Sequence, residues 1–186
     1  MEKKTTTQLT RTGIMIALAC ALSFFKVIEL ANGGSVTLGS MVPIILISYT
    51  LDFKKAILTS FCYSLTQMLF TGIAVPPTEN FFYYMLVIML DYVIAFSVLG
   101  LAGPVTRKIK NTVIKVISGS VIAVALRFLC HFLSGILIWG VYAPEGQSVY
   151  IYSLVYNASY MIPELVLTVL IMILLSKTRF FKKEIL

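Results

Sequence analysis

Asp91, Arg127, His131 and Glu164 carry ionisable groups inside long apolar runs of the chain. Such a side chain at membrane depth is costly, turns toward a protein interior or a water-filled cavity, and marks a functional site. Arg127, His131, Gly135 and Trp139 recur every four residues, a spacing that lines one face of a helix with a slow drift. That face presents a cation, an imidazole, a gap and a large aromatic ring. It is expected to wall a pocket in the outer half of a membrane, with Trp139 at its mouth. Asp91, followed by Tyr92, needs a partner in hydrocarbon, either Arg127 or a cationic ligand. Tyr152, Asn157 and Tyr160, ahead of Pro163, add aromatic and hydrogen-bonding groups. Asn157 both donates and accepts, which suits a heterocycle with both functions on one edge. Aromatic faces near a carboxylate attract cations. The expected ligand is therefore small, partly aromatic and cationic.

Each residue also has a plainer reading. Trp139 suits an interfacial anchor, His131 a helix-packing hydrogen bond, Arg127 a snorkelling base, and Asp91 with Arg127 a structural pair. Taken together, the spacing favours the pocket. Other chemistries find little support. The chain has no GxxxxGK[ST] loop for nucleotide hydrolysis, and its single histidine gives no metal-ligand cluster. Ser134 is the one serine near His131, a weak basis for an intramembrane enzyme. A self-sufficient proton-coupled transporter of a small cationic heterocycle is the alternative, with Asp91, His131 and Glu164 as its relay. The short chain and the lack of a visible inverted repeat count against it. Cys20, Cys62 and Cys130 lie inside apolar runs and read as small buried hydrophobes.

The elements that must position these groups are membrane spans. The sequence is 59% hydrophobic and 12% charged, against about 45–50% and about 25% for a soluble domain. Six apolar segments stand out, at about residues 10–27, 36–51, 56–75, 81–103, 113–139 and 150–176. The fold class expected is an all-α integral membrane protein, one six-helix bundle over residues 1–186. A cleaved signal peptide at the N-terminus is the weaker reading, because more apolar segments follow it. Lys3, Lys4, Arg11, Lys54, Lys55, Arg107, Lys108, Lys110, Lys115, Lys177, Arg179, Lys182 and Lys183 fall on one side of the spans, and Lys26 alone on the other. This bias puts both termini in the cytoplasm and argues against a nucleic-acid surface, since the bases form no continuous stripe. Ala17 and Ala21, one turn apart, form a small-xxx-small face suited to helix docking. The glycines in the loop from Asn32 to Ser35 suit a gate.

The ordered segments Gly33–Pro43, Leu90–Phe96, His131–Gly135 through Trp139, Tyr142–Gly146 and Tyr152–Tyr160 resemble the thiamine-specific substrate-binding (S) component of energy-coupling factor transporters. That resemblance implies a six-helix bundle in a prokaryotic cell membrane that captures thiamine from outside, uses no cofactor and performs no chemistry. It also implies a partner, a transmembrane coupling subunit carrying two cytoplasmic ATPases, docked on the face that holds Ala17 and Ala21. The ligand-binding positions implied are Asp91, Tyr92, Arg127, His131, Gly135, Trp139, Tyr152 and Asn157. The chain departs from the family pattern where its acid is Asp rather than Glu and its base Arg rather than Lys. Its first outer loop, Ala31-Asn32-Gly33-Gly34, has no tryptophan.

Overall fold

The computed structural model describes residues 2–30, 33–78, 80–179 and 181. Asn32 of the expected gate, its neighbour Ala31, and Lys182 and Lys183 of the basic cluster lie outside the described residues. In chain order, α1 (Glu2–Ser23) leads into a hairpin of β1 (Lys26–Glu29) and β2 (Ser35–Thr37), followed by α2 (Val42–Ser48) and α3 (Phe53–Thr71). Then come α4 (Phe81–Val105), α5 (Thr112–Leu137), a 3-10 turn at Trp139–Tyr142, and α6 (Val149–Ser176). The expected six-helix membrane bundle is present. By length and composition α4, α5 and α6 are each able to cross a membrane. At 25 residues α4 is about 38 Å long, more than the roughly 30 Å of hydrocarbon in a bilayer.

Local chemistry sets the ends of these helices. Asn80 accepts a hydrogen bond from the Phe82 N–H at 2.9 Å and Asn111 one from Ile114 at 3.1 Å, satisfying donors that a helix start leaves unpaired. The outer surface is apolar, with Leu69, Phe81 and Leu174 among the large side chains turned outward. Lipid solvates such a surface and water does not. The polar residues turn inward instead. On α3, Thr59, Ser60, Tyr63, Ser64 and Gln67 are all buried.

Three features differ from the sequence-based expectations. The apolar run 36–51 is not one long helix. It divides into β2 and the seven-residue α2, about 10 Å long, whose residues are all buried in the bundle. Residues 26–37 also form an antiparallel hairpin, with Ile28 opposite Val36, Glu29 opposite Ser35, and a bulge between Lys26 and Ile28. The β-branched pair Val27 and Ile28 suits a strand, and Gly34 at φ +85° supplies a backbone shape that side-chain-bearing residues resist. Cys62 faces outward rather than into the core, while Cys20 and Cys130 are buried.

Charge separates the two ends of the bundle. Arg107 reaches the Leu51 carbonyl at 3.3 Å and Asp52 at 3.7 Å, and Lys55 reaches Gln8 at 3.2 Å. The basic residues near α1's start, in the first turn of α3, between α4 and α5, and after α6 share this end. Lys26 sits on the hairpin at the opposite end, paired with Glu29.

The short α2 is held against α4 by close backbone approach. Gly103 donates its N–H to the Ser48 hydroxyl at 2.9 Å, and a Cβ on Gly103 would lie 2.3 Å from the Ser48 carbonyl oxygen. Since that obstacle is backbone, relief requires α2 to move. Gly103→Ala is expected to lower the melting temperature in detergent, overpacking of this kind costing about 1–3 kcal/mol. An unchanged midpoint would contradict the packing described.

Candidate ligand-binding site

Asp91 and Tyr92 lie in a stretch of α4, Ile88–Val93, that winds as a π-helix. This wider turn is uncommon and concentrates at functional sites. Here it allows two adjacent side chains to face the same cavity. Opposite it, α5 presents Arg127, His131, Ser134 and Gly135. The 3-10 turn after α5 bends the chain so that Trp139 returns over the same space.

The Asp91 carboxylate is the centre of the resulting network. Its Oδ1 lies 3.1 Å from His131 Nδ1. Its Oδ2 accepts from the Ser134 hydroxyl at 2.7 Å and from the Trp139 indole N–H at 3.0 Å. Arg127 donates through Nε to His131 Nε2 at 3.3 Å. Arginine has no acceptor to offer, so His131 Nε2 must be the unprotonated nitrogen. Nδ1 then carries the hydrogen and donates it to Asp91. The Arg127 guanidinium also lies over the Phe96 ring, 4.3 Å from its centroid. Arg127 therefore acts on Asp91 through His131, and the direct Asp91–Arg127 pair weighed from the sequence does not form.

A cavity of about 410 Å³ opens beside this network. All eight expected positions line it: Asp91, Tyr92, Arg127, His131, Gly135, Trp139, Tyr152 and Asn157. Their parts differ from expectation in two cases. A Cβ on Gly135 would fall 2.1 Å from the Ser153 hydroxyl, so this glycine makes room for α6 rather than for a solute. Asn157 spends its amide inside the protein, donating to the Ser153 carbonyl at 2.9 Å and accepting from the Tyr160 hydroxyl at 2.7 Å. Tyr92 accepts the Ala74 N–H at 3.0 Å, which leaves its own hydroxyl hydrogen to donate elsewhere.

The hairpin covers part of the cavity and is tied to one face of α6. Tyr156 donates its hydroxyl to the Gly33 carbonyl. Tyr160 packs so closely on Gly34 that a Cβ there would be 2.6 Å from its ring. Glu164 accepts from the Thr37 N–H at 2.7 Å and from its hydroxyl at 2.6 Å. These three residues are spaced by four and form one stripe. Glu164 is thus joined to Thr37 rather than to the Asp91–His131 pair, and the proton relay considered from the sequence loses its third member.

The sequence reading passed over several lining residues, among them Ser23, Thr37, Ser40, Tyr63, Gln67 and Phe96. A signal for two of them was present. Buried positions 56, 59, 60, 63, 64 and 67 on α3 recur at helical spacing, and five of the six are polar, which in an apolar segment marks an inward face. Phe96 and Ser23 carry no comparable signal.

Apolar outside, with a polar and aromatic cavity between its helices, the protein has the build of a membrane transport protein that holds a small solute. The family model described as thiamine transporter protein matches residues 9–183. The chain belongs to this thiamine transporter family, and it is a transport protein rather than an enzyme. A thiamine transporter, ThiT, of Bacillus subtilis (strain 168) is 30% identical over 189 residues, covering 95% of this chain and 94% of that one. A ThiT of Lacticaseibacillus paracasei is 27% identical over 175 residues, covering 86% and 82%. A solved structure of ThiT from Listeria monocytogenes superposes with a TM-score of 0.78 at 21% identity, over 96% of this chain and 97% of that one. That last likeness is one of fold.

His131 is the single histidine of the chain, so its ring can be observed without assignment ambiguity. Nitrogen-15 NMR of histidine-labelled protein is expected to show a protonated Nδ1 and an unprotonated Nε2. In Arg127→Met the Nε2 acceptor loses its donor, and the tautomer population is expected to shift. The opposite tautomer in the unsubstituted protein would contradict the hydrogen-bond directions given above.

Proposed function

We propose that this protein binds thiamine in the cavity beside Asp91 and serves as the substrate-binding S component of an energy-coupling factor vitamin importer. Membership of the thiamine transporter family supports the ligand. The observation that carries the site is the Asp91 carboxylate, 14% exposed, held by His131, Ser134 and Trp139 among aromatic walls. The cavity lining holds three acidic groups, Asp91, Glu164 and Glu29, and two bases, Arg127 and Lys26, with Lys26 and Glu29 paired to each other. One acid in excess suits a ligand bearing a single positive charge. In this reading Asp91 faces the thiazolium and Trp139 offers it an aromatic surface, a contact worth about 2 kcal/mol when desolvated. Tyr92 and Tyr152 add hydrogen-bonding and aromatic edges, while Arg127 and His131 hold Asp91 in place. Gly135 and Asn157 shape the wall through their contacts with α6.

Capture occurs from outside, with both termini cytoplasmic. The basic residues gathered at one end and Lys26 alone at the other support that orientation. The hairpin that closes over the cavity serves as the gate. Ala17 and Ala21 lie exposed on α1, as a docking face for the transmembrane coupling subunit requires. That subunit's two cytoplasmic ATPases supply the energy.

The test is titration of the purified protein with thiamine, followed by the fluorescence of Trp139, the only tryptophan. Saturable quenching at or below micromolar thiamine is expected, because the indole lies in the cavity wall. Asp91→Asn should raise Kd about 10- to 100-fold, the range expected for losing a charged hydrogen-bonding partner. No response at micromolar thiamine would rule out the reading. Unchanged affinity in Asp91→Asn would remove that residue from the site.

A further inference from the structure

The outer strand of the hairpin, β1, has two unlike sides. Lys26 and Glu29 line the cavity and pair with each other, whereas Val27 and Ile28 do not line it. Regular alternation would send Lys26 and Ile28 to one face and Val27 and Glu29 to the other. The bulge between Lys26 and Ile28 breaks that alternation and re-aims a side chain. Val27 and Ile28 are both left turned away from the cavity, 61% and 49% exposed.

This apolar side does not end at the strand. Phe24 and Phe25, between α1 and β1, are exposed, as is Leu38. Leu38 donates its N–H to the Phe25 carbonyl at 3.2 Å, which sets the two residues side by side. Phe24 meets the exposed Phe70 of α3 edge-on, with ring centroids 6.4 Å apart. Phe70 adjoins Leu69 on the outward, lipid-facing surface of that helix. Large apolar side chains therefore lead without a break from the lipid-facing wall of α3 onto the back of the hairpin. Contiguous exposed apolar groups of this kind mark a contact with a membrane or a partner.

Charge and hydrogen bonding point to the partner and to its depth. The two charges of β1 answer each other in the Lys26–Glu29 pair. Among the described residues β1 pairs with β2 alone, so its other edge keeps backbone groups in need of partners. Hydrocarbon supplies none, and an open sheet edge does not persist at the depth of the acyl chains. Water alone would leave an apolar edge strand prone to pairing with other chains. The boundary between head groups and acyl chains meets both needs, with polar groups for the edge and an apolar medium for the side chains. We infer that the back of the hairpin is an interfacial lipid-binding surface, with Phe24, Phe25, Val27, Ile28 and Leu38 seated in the leaflet at the end opposite the basic residues. The cover of the cavity is then held by α6 on one side and by lipid on the other.

The test is a nitroxide scan of the full-length protein in bilayers at a high ratio of lipid to protein. Lys26→Cys, Val27→Cys, Ile28→Cys and Glu29→Cys are labelled one at a time in a Cys62→Ala background, since Cys62 is exposed while Cys20 and Cys130 are buried. All four positions are exposed, so the label needs no repacking. Power saturation compares collisions with oxygen, which concentrates among acyl chains, and with a water-soluble nickel chelate. The labels on Val27→Cys and Ile28→Cys are expected to favour oxygen several-fold more than those on Lys26→Cys and Glu29→Cys. They should also favour it several-fold more than a label on Glu145→Cys, in the exposed loop between α5 and α6. Collisions at Val27→Cys and Ile28→Cys dominated by the nickel chelate would overturn the inference. So would dipolar broadening at Ile28→Cys that vanishes on dilution with unlabelled protein, because it would assign this face to a second copy of the chain.

Discussion

A carboxylate in hydrocarbon survives only if its oxygens are hydrogen-bonded and its charge is answered. Asp91 meets the first requirement with three donors, His131, Ser134 and Trp139, each from α5 or the turn that follows it. Much of the local architecture serves this arrangement. The π-helical stretch of α4 brings Asp91 and Tyr92 to the same cavity. The 3-10 turn at Trp139–Tyr142 returns the indole over the carboxylate, and Tyr142 stacks on it at 6.3 Å between ring centroids. Gly135 lets α6 approach α5 closely enough to complete the wall. Arg127 fixes the histidine tautomer that Asp91 needs, so its positive charge reaches the carboxylate through one imidazole.

The second constraint is the cover. The hairpin is bound to Tyr156, Tyr160 and Glu164 on a single stripe of α6, and Tyr160 in turn bonds Asn157 and packs edge-on to His131 at 6.3 Å. Contacts that hold the hairpin and contacts that hold the Asp91 network therefore share residues. The hairpin and the Asp91 network are thus in contact with the same face of α6. On the opposite side, Gln67 and Ser23 join the cavity wall to α1, the helix whose outer face carries Ala17 and Ala21.

Much of the site was legible in the sequence because membrane depth makes polar residues expensive. Asp91, Arg127 and His131 could be singled out by type and position alone, and the four-residue spacing to Trp139 placed them on one face. What spacing could not convey was connectivity. Nothing in the order of residues says that His131 stands between Arg127 and Asp91, or that Asn157 is occupied by Tyr160 and Ser153. The α-helical period also hid the π stretch, since one extra residue per turn leaves no mark on composition. Hydropathy makes the run 36–51 resemble one span because it reports burial without distinguishing lipid from protein. α2 is buried by its neighbours and is far too short to cross. The polar stripe of α3 lies at the correct period, but serine, threonine and glutamine carry no charge and give a weaker signal at membrane depth than Asp91.

We propose that a buried, donor-held carboxylate makes this cavity a site for one organic cation. Mass spectrometry of the small molecules released from protein purified out of thiamine-supplemented cells tests it most directly. Close to one thiamine per chain is expected from the unsubstituted protein, with a large loss of it from Asp91→Ala. Protein that releases no cationic ligand, or Asp91→Ala protein that carries thiamine undiminished, would contradict it.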